Sequence, residues 1–292
     1  MLRRLIFLFF CLLVISSLAF SAVTYDATGE EWDTSRKVNR IVSLVPSITE
    51  EIYLLKKDYS LVGVTNYCKH PGSAQAKEKV GTLLSPNIEA IKLLKPDMVF
   101  ASKENQAQEL VEKLREMNVP VFVFGEILSY EDIELEFMQL AEIFGMNVEA
   151  EKIMASLEKK MNDITKRVDK KNIKRSVFCE LGHEPLVTVA KGSYIDELIA
   201  RAGGVNIARS SKARYPQYNI EEVIKSDPDI IIIINMDDIS QWPKDSWLKY
   251  KDMNAVKNNN IYELNADDIC RPSINGYVDA YERLVSIFEK AS

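Results

Sequence analysis

Histidine is almost missing from this chain: its 292 residues hold two, His70 and His183. With two imidazoles and no Cys-x-x-Cys, a multi-histidine zinc site or a zinc finger has no ligand set. The HExxH, GxSxG, GxGxxG and GxxxxGK(S/T) signatures are absent too, so the common metalloprotease, hydrolase-elbow and nucleotide-binding motifs are excluded. Excess basic charge is also lacking. There are 37 Lys+Arg against 43 Asp+Glu, a net charge of −6, and without an N-terminal stretch that holds Arg3, Arg4 and no acid the remainder stands at about −8. Such a chain has no general attraction for nucleic acid or anionic lipid. What is present is ordinary globular composition, 47% hydrophobic and 27% charged over a length that can bury two cores, which rules out wholesale disorder, collagen and low-complexity architectures.

The first 21 residues read as an export signal: a basic start at Arg3 and Arg4, an apolar run over 5–18, and Ala19-Phe20-Ser21 with small residues at −3 and −1. Cleavage after Ser21 is expected, and the competing reading is a retained anchor, since the apolar run is near the lower limit for spanning a bilayer. Cys11 does not read as a lipidation site, because Phe10 precedes it and it lies inside the apolar run. Three cysteines follow, Cys68, Cys179 and Cys270. An odd count in an oxidising compartment leaves at least one thiol free, and the spacing does not choose a pair. Cys179, in the strand-like Ser176-Val177-Phe178-Cys179, reads as a small buried hydrophobe.

From Val38 onward short β-rich runs alternate with helical patterns. Strands are expected over 41–45, 61–65, 98–101 and 119–124, with helices over 49–55, 87–94 and 106–117. A second series places strands over 176–181, 186–190, 230–234 and 261–264, and helices over 194–202, 221–225 and 277–289. The alternation predicts βαβ units: two Rossmann-like α/β lobes with parallel-rich sheets, over 22–145 and 173–292. Between them, 146–172 contains no Gly or Pro and carries the stripe Ile153, Leu157, Met161, Ile164, Val168, a long amphipathic helix suited to a rigid strut between lobes. The plainer reading is one more packing helix within a single lobe.

The most informative feature is an internal repeat. Asn87-Ile88-Glu89, followed by Pro96-Asp97, recurs 132 residues later as Asn219-Ile220-Glu221 and Pro228-Asp229. Each copy reads as an Asn N-cap, a two-turn helix, a Pro-Asp break and a buried strand. In both, a glutamate falls in the first helical turn, where a carboxylate meets the positive end of the helix dipole, worth about 0.3–1 kcal/mol. Helix stabilisation accounts for one such glutamate and less well for a matched pair.

At these residues the chain resembles the substrate-binding proteins of ABC importers for metal chelates, namely vitamin B12, haem and ferric siderophores, and among them the cobalamin-binding branch. The resemblance covers essentially the whole chain beyond the leader. It rests on the runs over 40–50 and 62–71, on Pro86-Asn87-Ile88-Glu89 with Lys95-Pro96-Asp97, on Lys191-Gly192-Ser193-Tyr194 ahead of Ala202-Gly203-Gly204-Val205-Asn206, and on Tyr215-Pro216-Gln217. It implies two α/β lobes joined by one long helix, a ligand held between them, and a monomer in the periplasm that delivers its ligand to membrane permease subunits. It also implies a role for the matched glutamates: Glu89 and Glu221 would dock the loaded protein onto permease arginines. No resident cofactor is expected, the metal arriving within the ligand.

Carried across position by position, the ligand-facing residues are Pro46, Ser47, Tyr67, His70, Leu83 and Ser102 in the first lobe and His183, Tyr215, Trp242, Asp267 and Arg271 in the second. Loops at the carboxyl ends of strands are where open α/β sheets bind ligands. Tyr67, Tyr215 and Trp242 would offer flat walls to a planar chelate; ordinary packing is the alternative. Asp267 and Arg271 match an Asp-x-x-x-Arg pattern of cobalamin binders and would meet amide substituents; otherwise they form a surface ion pair worth about 0–1 kcal/mol. His70 stands where haem binders often carry an iron-ligating tyrosine, so it is a candidate axial ligand to a chelated metal, or else a solvated loop histidine. The same solvated reading applies to His183. Leu83 and Ser102 occupy places where cobalamin binders carry tryptophan. A siderophore would be favoured by free cations, for which Lys103, Arg209, Lys212 and Arg214 are available. An enzyme of the same plan, a chelatase built on His70 or His183 or a hydrolase built on Asp267-Asp268 or Asp237-Asp238, is the reading from a different class. It lacks a nucleophile, base and orienting group at motif spacing.

Overall fold

Buried strands that carry nearly unbroken apolar runs have to be covered on both faces, and this one condition organises the molecule. The computed structural model describes residues 22–103, 108–172, 174–235 and 244–291. The expected export signal therefore lies outside the described residues, and no helix among these is long and apolar enough to cross a membrane.

A small antiparallel hairpin, β1 (Val23–Tyr25) with β2 (Glu31–Asp33), precedes the first lobe. That lobe is built on β3 (Ile41–Ser43), β4 (Leu61–Val64), β5 (Glu78–Lys79), β6 (Met98–Ser102) and β7 (Val121–Phe124), all parallel in the order β5-β4-β3-β6-β7. Its helices are α1 (Pro46–Leu54), α2 (Ile88–Leu93), α3 (Gln108–Glu116) and α4 (Tyr130–Phe144). The sequence reading had not marked α4. Its signals are nevertheless legible: Ser129 and Asp132 form a capping box, Gly145 ends the helix at φ 63°, and Ile133, Phe137, Leu140 and Ala141 make a buried stripe. A buried carboxylate, Glu136, interrupts that stripe.

The second lobe is built on β8 (Arg175–His183), β9 (Leu186–Thr188), β10 (Gly204–Asn206), β11 (Ile230–Asn235) and β12 (Ile261–Asn265). The order is β10-β8-β11-β12, parallel throughout, with β9 turned back antiparallel on β8. The run over 186–190 therefore closes a hairpin and is no member of the parallel series. Two residues separate β8 from β9, far too few for a crossover. Around this sheet lie α6 (Tyr194–Arg201), α7 (Ile220–Ser226), the single turns α8 (Asp245–Leu248), α9 (Asn254–Lys257) and α10 (Ala266–Ile269), and α11 (Ile274–Lys290).

Between the lobes runs α5 (Asn147–Lys171), 25 residues, about 37 Å at 1.5 Å per residue. It rests on α4 of one lobe and α11 of the other. The expected stripe is its seam: Met161, Ile164 and Val168 are buried, and Ile153 and Leu157 are half-buried against the same core. Along α11 the seam is closed by Thr165 to the Tyr281 hydroxyl (3.1 Å), Lys160 to Asp279 (2.8 Å) and Arg167 to Glu289 (3.1 Å). One apolar cluster continues from Phe100 and Phe137 in the first lobe through α5 to Tyr277 and Phe288 in the second. Tyr130 stacks on Tyr277 with centroids 4.8 Å apart, and the Tyr130 amide donates to Glu197 (2.9 Å).

The repeat is structural as well, the two cap bonds differing by one residue. Asn87 and Asn219 cap α2 and α7, accepting from Ala90 (3.0 Å) and Glu221 (2.9 Å). Each helix is left through a residue with positive φ at the matched position, Lys95 (46°) and Asp227 (44°). The aspartates of the two Pro-Asp steps then tie down the neighbouring strand: Asp97 accepts from the Arg40 amide ahead of β3 (2.9 Å), and Asp229 accepts from the Ser176 amide of β8 (2.8 Å). Pro-Asp thus ends a helix and also registers the next strand.

Candidate functional site: the cleft between the lobes

Parallel strands bring the loops at their carboxyl ends to one edge of each sheet, and the two edges face each other across a cleft of about 590 Å³. From the first lobe, the turn after β3 contributes Val45, Pro46 and Ser47, the segment after β4 contributes Tyr67, Lys69 and His70, and the turn ahead of α2 contributes Thr82, Leu83 and Leu84. From the second come Leu181 on β8, Tyr194 and Ile195 at the start of α6, Tyr215, and Ala266, Asp267, Cys270, Arg271 and Pro272 around α10. Tyr67 and Tyr215, one from each lobe, are each 44% exposed.

Of the positions expected from sequence, Pro46, Ser47, Tyr67, His70, Leu83, Tyr215, Asp267 and Arg271 are brought together here. Two are not. Ser102 was expected just beyond its strand, but β6 runs on through it: Ser102 pairs with Phe124 of β7 and is buried inside the sheet. His183 was expected to face the ligand. Instead β8 also runs on to His183, where it pairs with Leu186, and a register irregularity between Glu180 and Gly182 breaks the two-residue alternation. The ring reaches back, with Nδ1 2.8 Å from the buried carboxylate of Glu180, which also accepts from the Trp247 indole at 2.5 Å. Burial raises the Glu180 pKa, and these two donors oppose the shift. Trp242 and the Asp237-Asp238 pair lie outside the described residues.

Asp267 and Arg271 do not form the surface ion pair that their spacing allows. The Arg271 Nε donates to the Asp267 backbone carbonyl, while both side-chain charges turn across the cleft. Asp267 Oδ2 lies 3.2 Å from His70 Nε2, and Arg271 donates to Glu50 Oε1 at 2.9 Å. Glu50 is the residue that the sequence reading missed most consequentially. It is 7% exposed and also accepts from the Ser273 hydroxyl (2.9 Å) and the Asn275 amide (2.6 Å). A helix that starts at Pro46 places Glu50 four residues on, on the same face. Beside it Glu51 accepts the Ile274 amide at the start of α11 (2.9 Å). Two consecutive acids of α1 thereby hold the N-terminus of α11, and these bonds join the lobes below the cleft. The cleft thiol of Cys270 is pushed up to about 12 by burial, against a hydrogen bond from Tyr194, so it is held protonated.

The cations that would serve an anionic chelate are engaged or lie elsewhere. Arg209 pairs with Asp196 (3.3 Å) and Arg214 with Glu126 (3.2 Å), and neither they nor Lys103 and Lys212 line the cleft. Glu89 and Glu221 are exposed in the first turns of α2 and α7, outside the cleft.

A family model described as periplasmic binding protein matches residues 41–267, which span both lobes and the helix between them. The chain belongs to the periplasmic binding protein family. Among curated members, the vitamin B12-binding protein of Vibrio parahaemolyticus is 27% identical over 258 residues, 87% of this chain and 92% of its own. An uncharacterised ABC transporter substrate-binding lipoprotein of Bacillus subtilis, YvrC, is 26% identical over 258 residues, 86% of this chain and 81% of its own. The solved periplasmic vitamin B12 binding protein BtuF of Vibrio cholerae superposes with a TM-score of 0.74 at 27% identity, covering 87% of this chain and 98% of that one. These relatives are binding proteins, and their two-lobed, parallel-rich α/β fold is the fold of this chain.

Proposed function

We propose that this protein is the extracytoplasmic substrate-binding component of an ABC importer: it captures a metal chelate, cobalamin or a related corrinoid, between its lobes and delivers it to a membrane permease unchanged. The observation that carries the reading is the cleft itself, in which Tyr67 and Tyr215 stand 44% exposed on opposite lobes. Two aromatic rings left open toward one cleft, one from each lobe, suit a flat ligand between them. Cobalamin is favoured by the B12-binding relatives and by a lining that mixes apolar side chains with an Arg271 whose charge is paired with Glu50. Haem is the second reading, and the observation in its favour is His70 in the lining, with a carboxylate against one ring nitrogen as metal-ligating histidines have.

Binding without turnover is supported by the relatives, which are named as binding proteins. Among the described residues neither histidine–carboxylate pair, His70 with Asp267 or His183 with Glu180, has a hydroxyl or thiol nucleophile hydrogen-bonded to the ring. Among the described residues no group of three or more His, Cys, Asp and Glu is placed to hold an ion, and in this reading the metal arrives within the chelate. The N-terminal segment would export the chain to the periplasm. Glu89 and Glu221, on matched helices, would present two carboxylates to cationic side chains of the permease.

Absorbance spectra of the purified protein, after separate incubation with cyanocobalamin, haemin and a ferric siderophore and removal of free ligand, test the assignment. Retention of the corrin bands is expected. Retention of a Soret band alone would move the ligand to haem, and a protein that retains none of the three would refute chelate binding.

A further inference from the structure

The cleft lining holds two acids, Glu50 and Asp267, with Lys69, His70 and Arg271, and the contacts Arg271 to Glu50 and His70 to Asp267 cross from one lobe to the other. The Arg271–Glu50 pair is the deeper. The side chains are 21% and 9% exposed and 2.9 Å apart, and the Glu50 carboxylate is further anchored by Ser273 and Asn275. Arg271 is therefore a donor whose charge is already compensated. It can hydrogen-bond a neutral acceptor such as an amide carbonyl, but a carboxylate beside it also faces Glu50. In a site partly screened from water, that like-charge approach is costly.

Resting on the chelate-binding reading and deepening it, we propose that Glu50 is a specificity-determining residue: by neutralising Arg271 across the cleft floor it selects chelates with an uncharged, amide-bearing periphery over those with carboxylates. Glu50 sets the sign of the field that the ligand edge meets. His70 against Asp267 repeats the arrangement at the mouth, 3.2 Å apart and half exposed, where solvent weakens it.

The test uses corrinoids that share ring, cobalt and axial cyanides and differ in the peripheral side chains: dicyanocobinamide, whose side chains are amides, and dicyanocobyrinic acid, in which they are carboxylates. Calorimetric titration of the wild type is expected to favour the amide form, with little dependence on salt. Glu50→Gln keeps the shape and frees the Arg271 charge. It should raise affinity for the carboxylate form about tenfold or more and make that binding fall with salt. Arg271→Gln leaves Glu50 uncompensated and should move the ratio the other way, so the assignment stands or falls even if one variant folds poorly. An unchanged ratio in either variant that retains the wild-type circular dichroism overturns it. If the wild type binds neither corrinoid, the corrinoid reading fails by itself, and the role of Glu50 is then read from ferric protoporphyrin and its bis-amide, with the same directions expected. A wild type that binds no member of either pair overturns both.

Discussion

Tyr67 and Tyr215 each leave 44% of their surface uncovered at the cleft, so a ligand rather than the core takes up most of their binding contribution. Tyr67→Ala or Tyr215→Ala is expected to weaken chelate binding by about 1–3 kcal/mol, the scale of one lost aromatic contact, with little change in melting temperature. Titration and thermal unfolding of each variant check it, and a change in melting temperature without one in affinity would place the ring in the fold instead. Glu51 shows the opposite economy. Its carboxyl is fully buried, and burial, with Glu136 and Glu50 nearby, raises its pKa well above the ordinary value while the Ile274 amide opposes. A folded-state pKa above the unfolded one means that the folded chain binds the proton more tightly. Stability is therefore full below the ordinary Glu range and declines as pH rises from there toward the raised value. Glu51→Gln should remove that decline, giving a gain in melting temperature over wild type that grows from pH 4 to neutrality. A gain independent of pH would show that Glu51 is not the titrating group.

At the scale of elements, the matched helices α2 and α7 carry the docking reading. Their capping asparagines, positive-φ exits and strand-tying aspartates stand at matched positions, so Glu89 and Glu221 occupy equivalent places in two lobes whose separation α5 fixes. Glu89→Arg with Glu221→Arg is expected to abolish uptake in cells or in permease vesicles, while chelate affinity and melting temperature stay within about 0.5 kcal/mol and a few degrees of wild type, as for exposed substitutions. Uptake at the normal rate, or a loss of chelate affinity as large as the loss of uptake, would contradict it. The same elements show what was legible beforehand. Periodicity, Asn caps and the Pro-Asp steps are local signals, and they located the long helix, the repeat and eight of the twelve strands among the described residues, leaving out the hairpin β1–β2 and the short edge strands β5 and β10. The cleft was legible where a loop follows a strand directly, at Pro46 and Tyr67. It was misread where a strand runs one residue further than its apolar run suggests, at Ser102, or is bent by an irregular register, at His183. Glu50 was missed because its place depends on where a helix begins and on partners more than 200 residues away.

The whole molecule is two sheets whose carboxyl edges face each other, bound below by the α1–α11 contacts and along one side by α5. The continuous apolar cluster through α5 makes large hinge motion costly, so a ligand meets a cleft already formed and little ordering is required on binding. The central claim is that a chelate sits between the lobes and touches both. Amide hydrogen exchange of the purified protein, with and without saturating cyanocobalamin, tests this most directly. The account predicts added protection in both lobes at once, around residues 46–50, 67–70 and 82–84 in the first and 214–217 and 266–272 in the second, with the faces that carry Glu89 and Glu221 unchanged. Protection confined to one lobe, or found on the outer faces alone, would contradict it.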